Sequence, residues 1–289
     1  MRALTLVLGI IITGCAQEGR PQPETTTTPQ VISTTAGSTN TTVVPVSEYL
    51  PGLEARFHLP APADRVPLVV MVPGGGWKTA DPAGFEGLAR DLAMSGILAA
   101  AVEVRAAEND VLYPVPVEDV LCAVAHSVAW AGSNGFEPGL VALLGHSSGA
   151  HLASLAVLAP SEFSSDCPDQ QQTPDALVGL AGTYDVGIVP GVARRLFGVS
   201  SETDPALWES GNPVLRAGLR PEVPVLLIHG DADDLVPTSF TTEFARALEV
   251  GGHAVTVHMV TGADHHEIYS AGTSGDLITD WIAKVDLSD

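Results

Sequence analysis

Lysine is almost missing from this chain of 289 residues, which has only Lys78 and Lys284. Thirteen Lys and Arg stand against 34 Asp and Glu, a formal net charge of −21. A polyanion repels phosphate backbones and anionic headgroups, so neither a nucleic acid nor an anionic membrane surface is expected as a partner. The acidic excess reads as the solvated surface of an exported protein. The apolar run at the amino terminus, 3–12, is too short to span a bilayer. The three cysteines, Cys15, Cys122 and Cys167, lack zinc-ligand spacing, and no dinucleotide or P-loop fingerprint occurs. No metal and no organic cofactor is implied.

What is present at the amino terminus is one cation, Arg2, followed by that short apolar run, the pattern of a secretory signal. The run ends Ile12-Thr-Gly-Cys15-Ala16, which resembles the lipobox of bacterial lipoproteins. The resemblance implies a signal over 1–14, cleavage before Cys15, lipidation of its thiol, and a protein anchored at the outer side of a bacterial membrane. Residues 15–45 are rich in Thr and Pro and poor in large apolar side chains. Such a segment cannot bury enough surface to offset its ordering entropy, and it reads as a disordered tether. With Cys15 lipidated, two cysteines remain. An even remainder in an exported chain points to one disulfide, Cys122–Cys167.

The rest, 46–289, is long enough for one domain with a sizeable core. Apolar strand signals over 52–59, 67–72, 97–104, 140–144, 176–180, 224–229 and 254–260 are separated by helical patterns over 82–94, 117–130, 239–250 and 268–285. This alternation predicts an α/β fold: a doubly wound, mostly parallel sheet with helices on both faces. The stretch 186–222 has no strand signal, only short helical pieces, and reads as a small cap insertion. Its Phe197, Leu207, Trp208 and Leu215 either line a pocket or form the cap's own core.

In such a sheet, active residues gather at the carboxyl ends of strands, and four ends here are unusual. The run over 140–144 enters Gly145-His-Ser147-Ser-Gly149, then an apolar helix-competent stretch. Gly-x-Ser-x-Gly between strand and helix is a nucleophile elbow, a strained turn that lifts the serine hydroxyl clear of the backbone. The strand ending at His229 leads into Asp231, Asp233 and Asp234, and the last strand into Asp264, His265 and His266. The strand ending at Val72 leads into Pro73-Gly74-Gly75-Gly76-Trp77. A serine needs a base, and the base needs an orienting carboxylate. The chain order Ser, Asp, His is the one used on this sheet type.

With these stretches in hand, residues 46–289 resemble the α/β-hydrolase superfamily, and within it the small carboxylesterases of the acetyl-esterase and kynurenine-formamidase-like group. The residues alone leave Asp231, Asp233 and Asp234 open as the acid, and His265 and His266 as the base. The family spacing selects Asp233 and His265. It also implies an oxyanion hole made by the N–H groups of Gly75, Gly76 and Ser148. Pro73 stands where family members usually have a histidine that braces the glycine loop. His146 and His151 are expected to pack or hydrogen-bond beside the elbow. The resemblance implies hydrolysis of small or short-acyl esters through an acyl-enzyme on Ser147, with a small-molecule ester as partner and membrane contact only through Cys15. An amidase or peptidase on the same triad, and a non-catalytic surface binding protein on a hydrolase scaffold, are the other readings.

Overall fold

The computed structural model describes residues 44–164 and 166–286. The signal over 1–14, the lipidation site Cys15 and nearly all of the tether lie outside the described residues. Eight strands form one sheet: β1 Val46–Leu50, β2 Leu53–His58, β3 Arg65–Val72, β4 Leu98–Val102, β5 Glu137–His146, β6 Ala176–Leu180, β7 Val225–Gly230 and β8 Val255–Val260. Their order across the sheet is β1-β2-β4-β3-β5-β6-β7-β8. From β4 to β8 every pairing is parallel. The edge formed by β1 and β2 is antiparallel, joined by a turn at Pro51 and Gly52. β1 carries too few apolar residues to stand out in the sequence. It is held by pairing with β2, and only Tyr49 of its five residues is buried.

The helices are α1 Glu86–Met94, α2 Val115–Ser133, α3 Ser148–Leu158, α4 Pro190–Phe197, α5 Pro205–Ser210, α6 Ser239–Gly251 and α7 Asp276–Asp286. Alternate strand residues feed two cores because successive side chains point to opposite faces. Leu68, Val70 and Val72 join α2, α3 and α6 on one face. Val69 and Met71 join α1 and α7 on the other. The central strands are buried on both faces, which is why they read as unbroken apolar runs.

One expectation needs correction. The helical stretch 268–285 is not one helix: a 3₁₀ turn at Glu267–Tyr269 and a π turn at Ala271–Gly275 precede α7. Gly275 lies so close to α1 that a Cβ there would meet the Asp91 carboxylate at 2.2 Å. Tertiary packing sets the register here against the apolar periodicity. In the insertion, Phe197 and Trp208 are buried and stack at 4.5 Å, and Leu207 packs against the same core, while Leu215 is exposed. Phe197, Leu207 and Trp208 thus join the core on that face of the sheet, and none of the four lines the cavity described below.

Cys122 on α2 and Cys167 after α3 are disulfide-bonded, with Cα atoms 5.2 Å apart and a separation of 45 positions in the chain. Cross-linking a loop of that length restricts the unfolded chain, a stabilisation of about 2–4 kcal/mol. Urea denaturation of a Cys122→Ala, Cys167→Ala variant should show that loss. An unfolding free energy equal to the wild type's would contradict it.

Candidate active site

The strand order reverses direction at β3: β4 follows it on one side and β5 on the other. Such a switch point opens a crevice beyond the carboxyl ends of the strands. There the loop after β3 meets the turn after β5. Ser147 has φ 53° and ψ −122°, a conformation that a residue with a Cβ adopts only under strain. Its N–H donates to the Leu180 carbonyl at 2.9 Å, and its own carbonyl accepts the first bond of α3, from Ala150 at 3.1 Å. The two glycines of the motif make the turn possible. A Cβ at Gly145 would lie 2.4 Å from the Gly149 carbonyl, and one at Gly149 would lie 2.3 Å from the Val72 carbonyl.

Ser147 opens into a cavity of about 520 Å³. His265 lines the same cavity, on the loop after β8. Its Nδ1 lies 2.7 Å from Asp233 Oδ2, and since that carboxylate accepts, Nδ1 carries the proton. Asp233 Oδ1 accepts the N–H groups of Leu235 at 2.9 Å and Val236 at 2.8 Å. The side chain is wholly buried. Burial pushes its pKa up, but the bonds from Val236, His265 and Leu235 outweigh this and hold it below the ordinary carboxylate value. Asp231 instead accepts from Gly262 N–H at 2.7 Å, and Asp264 accepts from His266 and Glu267 N–H. These are turn-forming roles, and Asp234 is exposed. His266 lines the cavity but is itself exposed. Among the described residues, no hydrogen bond joins the Ser147 hydroxyl to the His265 ring; such contacts often tighten only when substrate binds.

His229, which the sequence reading passed over, completes the surroundings of the Asp233 carboxylate. His229, fully buried, has Nε2 2.9 Å from the Val236 carbonyl and 3.1 Å from Asp233 Oδ2. Both partners are acceptors, so Nε2 carries the proton and Nδ1 accepts from the Thr241 hydroxyl at 2.7 Å. His229 donates to the same carboxylate oxygen as His265. The only sequence signal for it was its place at the end of an apolar strand.

Gly75 and Gly76 line the cavity. The Gly75 carbonyl accepts from Lys78 at 3.1 Å and Thr79 at 3.4 Å. Among the described residues, the Gly75 and Gly76 N–H groups donate to no acceptor within the protein. Ser148 is the first residue of α3, where helical N–H groups have no intrahelical partner. The far end of the glycine loop is held by a buried contact. Trp77, buried at the end of the loop, donates from Nε1 to His151 Nδ1 at 3.3 Å, and His151 Nε2 donates to the Gly211 carbonyl at 2.8 Å. His146 donates from Nε2 to the His265 carbonyl at 2.9 Å, and its ring packs against His265 and Tyr269. Both histidines therefore pack and hydrogen-bond as expected.

Another Ser-His-Asp row exists. Ser47 lies 2.9 Å from His126 Nε2, and His126 Nδ1 lies 2.8 Å from Asp169. Ser47 sits mid-strand on the edge strand β1, with no elbow, no glycine loop and no share in the cavity. The row of three side chains is thus not what distinguishes Ser147. Among the described residues, no group of three or more His, Cys, Asp or Glu side chains could hold a metal ion.

Burial pushes the pKa of His146 down to about 3 and that of His151 to about 4, and it also lowers that of His229. The unfolded chain takes up these protons near pH 6.5, whereas folded His146 and His151 refuse them until far lower. Stability is therefore full above about pH 6.5 and lost progressively as pH falls toward 4. The melting temperature should drop steadily from pH 7 to 4.5; a flat profile would contradict the buried neutral state of these rings.

A family model described as BD-FAE matches residues 57–248. The chain is 27% identical over 219 residues to the esterase LipC of Mycobacterium tuberculosis, covering 71% of this chain and 54% of that protein. It is 27% identical over 222 residues to a probable isoprenylcysteine alpha-carbonyl methylesterase, ICME, of Oryza sativa subsp. japonica, covering 72% and 53%. It thus spans about half the length of the curated relatives it matches. Among solved structures, a propionate-bound esterase, Est2, from the Planctomycetes species Thermogutta terrifontis superposes with a TM-score of 0.69 at 22% identity, covering 84% of this chain and 94% of that one. A truncated carbohydrate esterase from gut microbiota superposes with a TM-score of 0.70 at 18% identity, covering 81% and 90%.

Proposed function

This chain belongs to the BD-FAE family and has the α/β-hydrolase fold, and from that premise we propose that it hydrolyses carboxylic esters with Ser147 as nucleophile, His265 as base and Asp233 as orienting acid. The observation that carries the reading is the convergence on one cavity of three things: a serine held in a strained elbow, a histidine whose tautomer is set by a buried carboxylate, and a glycine loop with unused N–H groups. Ser147 Oγ attacks the ester carbonyl while His265 Nε2 takes its proton. The N–H groups of Gly75, Gly76 and Ser148 receive the oxyanion. The intermediate collapses, and the alcohol leaves with the proton from His265. Water, deprotonated by His265, then attacks the acyl-enzyme and releases the carboxylic acid. Asp233 stays ionised throughout and stabilises the imidazolium.

The reading favours short acyl groups, because the Thermogutta terrifontis esterase of the same fold is described bound to propionate and to butyrate. We extend the proposal to an exported protein tethered by lipid at Cys15 to the outer side of a bacterial membrane. The Cys122–Cys167 disulfide supports it, because such bonds persist in oxidising compartments. The test is turnover of 4-nitrophenyl esters from acetate to decanoate. Turnover should fall as the acyl chain lengthens; no turnover of any ester above background would overturn the reading.

A further inference from the structure

We propose that Arg195 makes an anion subsite in this cavity, and that the preferred esters carry a carboxylate a short spacer away from the scissile bond. The inference rests on the ester-hydrolysis reading and narrows its substrate class. Arg195 lies in the last turn of α4, beside Val192. It is the one Lys or Arg lining the cavity, in a chain where acidic residues far outnumber basic ones. Its Nη1 is 3.4 Å from the Gly76 carbonyl, a long contact, and a Cβ added to Gly76 would come within 3.2 Å of the same nitrogen. The guanidinium therefore hangs against the glycine loop.

Arg56, Arg90, Arg105, Arg216 and Arg220 each have a carboxylate within ion-pair distance. Among the described residues, Arg65, Arg194, Arg195 and Arg246 have none, and of these four Arg195 alone lines the cavity. Its planar fork of donors matches a carboxylate, and the adjoining walls, Val189 and Val192, are apolar. Low-dielectric walls focus the field of a charge into the cavity. Asp81, the carboxylate that also lines the cavity, has Oδ1 engaged by the Ala83 N–H at 2.9 Å. Two contacts along the glycine loop bound the spacer. Gly74 abuts Ser147, with an added Cβ there 2.9 Å from Ser147 Cβ. Gly76 is two residues further on, at most roughly 7 Å along the chain. These contacts place Arg195 within reach of an ester at Ser147, and the proposal takes a spacer of about two or three carbons, as in a monoester of succinic or glutaric acid.

The experiment compares kcat/KM within two matched pairs: 4-nitrophenyl hydrogen glutarate against 4-nitrophenyl hexanoate, and the acetyl ester of 4-hydroxybutyrate against pentyl acetate. Arg195→Met should lower the charged-to-neutral ratio of at least one pair by roughly 10–100-fold, the scale of a charge-assisted hydrogen bond. Arg195→Lys should retain part of it. The two pairs tell whether the carboxylate belongs on the acyl or the alcohol side. Ratios unchanged within twofold in both pairs would overturn the subsite while leaving the esterase reading intact. If no ester is turned over, that reading fails and calorimetry still decides the subsite. Glutarate titrated into Ser147→Ala protein should bind, and binding should be lost with Arg195→Met added; equal heats from both would overturn it.

Discussion

Replacing Ser147 by alanine should remove ester turnover, with kcat falling on the order of 10⁶-fold, the scale of nucleophile loss in a serine hydrolase triad. The fold should survive. Alanine keeps the Cβ and inherits the backbone conformation at φ 53°, so neither the turn nor the start of α3 has cause to move. Ser147→Gly separates catalysis from strain. It lacks the same hydroxyl but adopts the elbow freely, relieving roughly 1–3 kcal/mol against about 0.5–1 kcal/mol of added chain entropy. It should be inactive yet at least as stable as Ser147→Ala. Residual turnover within tenfold of wild type in either variant would remove Ser147 from the nucleophile's role.

Asp233→Asn should be nearly as severe, about 10⁴-fold in kcat, and the hydrogen bonds say why. The Oδ1 position receives two backbone N–H groups, from Leu235 and Val236, so the amide must put its oxygen there. Its NH₂ then faces His265 Nδ1, which must become the acceptor. That moves the ring proton to Nε2, the atom that has to receive the proton of Ser147. The same NH₂ also confronts the N–H of His229, so a buried donor loses its acceptor at about 1–3 kcal/mol in stability. Asp234→Asn, on an exposed side chain, should change kcat by less than threefold. A larger loss at Asp234 than at Asp233 would reassign the acid.

Much of this was legible in the sequence, for physical reasons. Buried parallel strands must be apolar on both faces, so β3, β5, β6 and β7 read as runs. The elbow is legible because only Gly145 and Gly149 tolerate its contacts. The proposed acid and base rested on family spacing alone, since three aspartates and two histidines fit the residues equally well. Pairing of Asp233 with His265 depends on how the loops after β7 and β8 meet, which no local pattern records. The same holds for His229, whose partners Thr241 and Val236 lie on the following helix and loop. Arg195 looked like any basic residue near a helix end; only packing of α4 over the glycine loop brings it to the cavity. The broken start of α7 is set by its contact with α1 and overrides a periodicity that favoured one helix.

The most direct measurement is intact-mass and peptide mapping after treatment with a fluorophosphonate, which reacts covalently with an activated serine. One adduct per chain is expected, on Ser147, absent in Ser147→Ala and strongly slowed in His265→Ala. No adduct on the folded protein, or an adduct on Ser47 in the other Ser-His-Asp row, would contradict it.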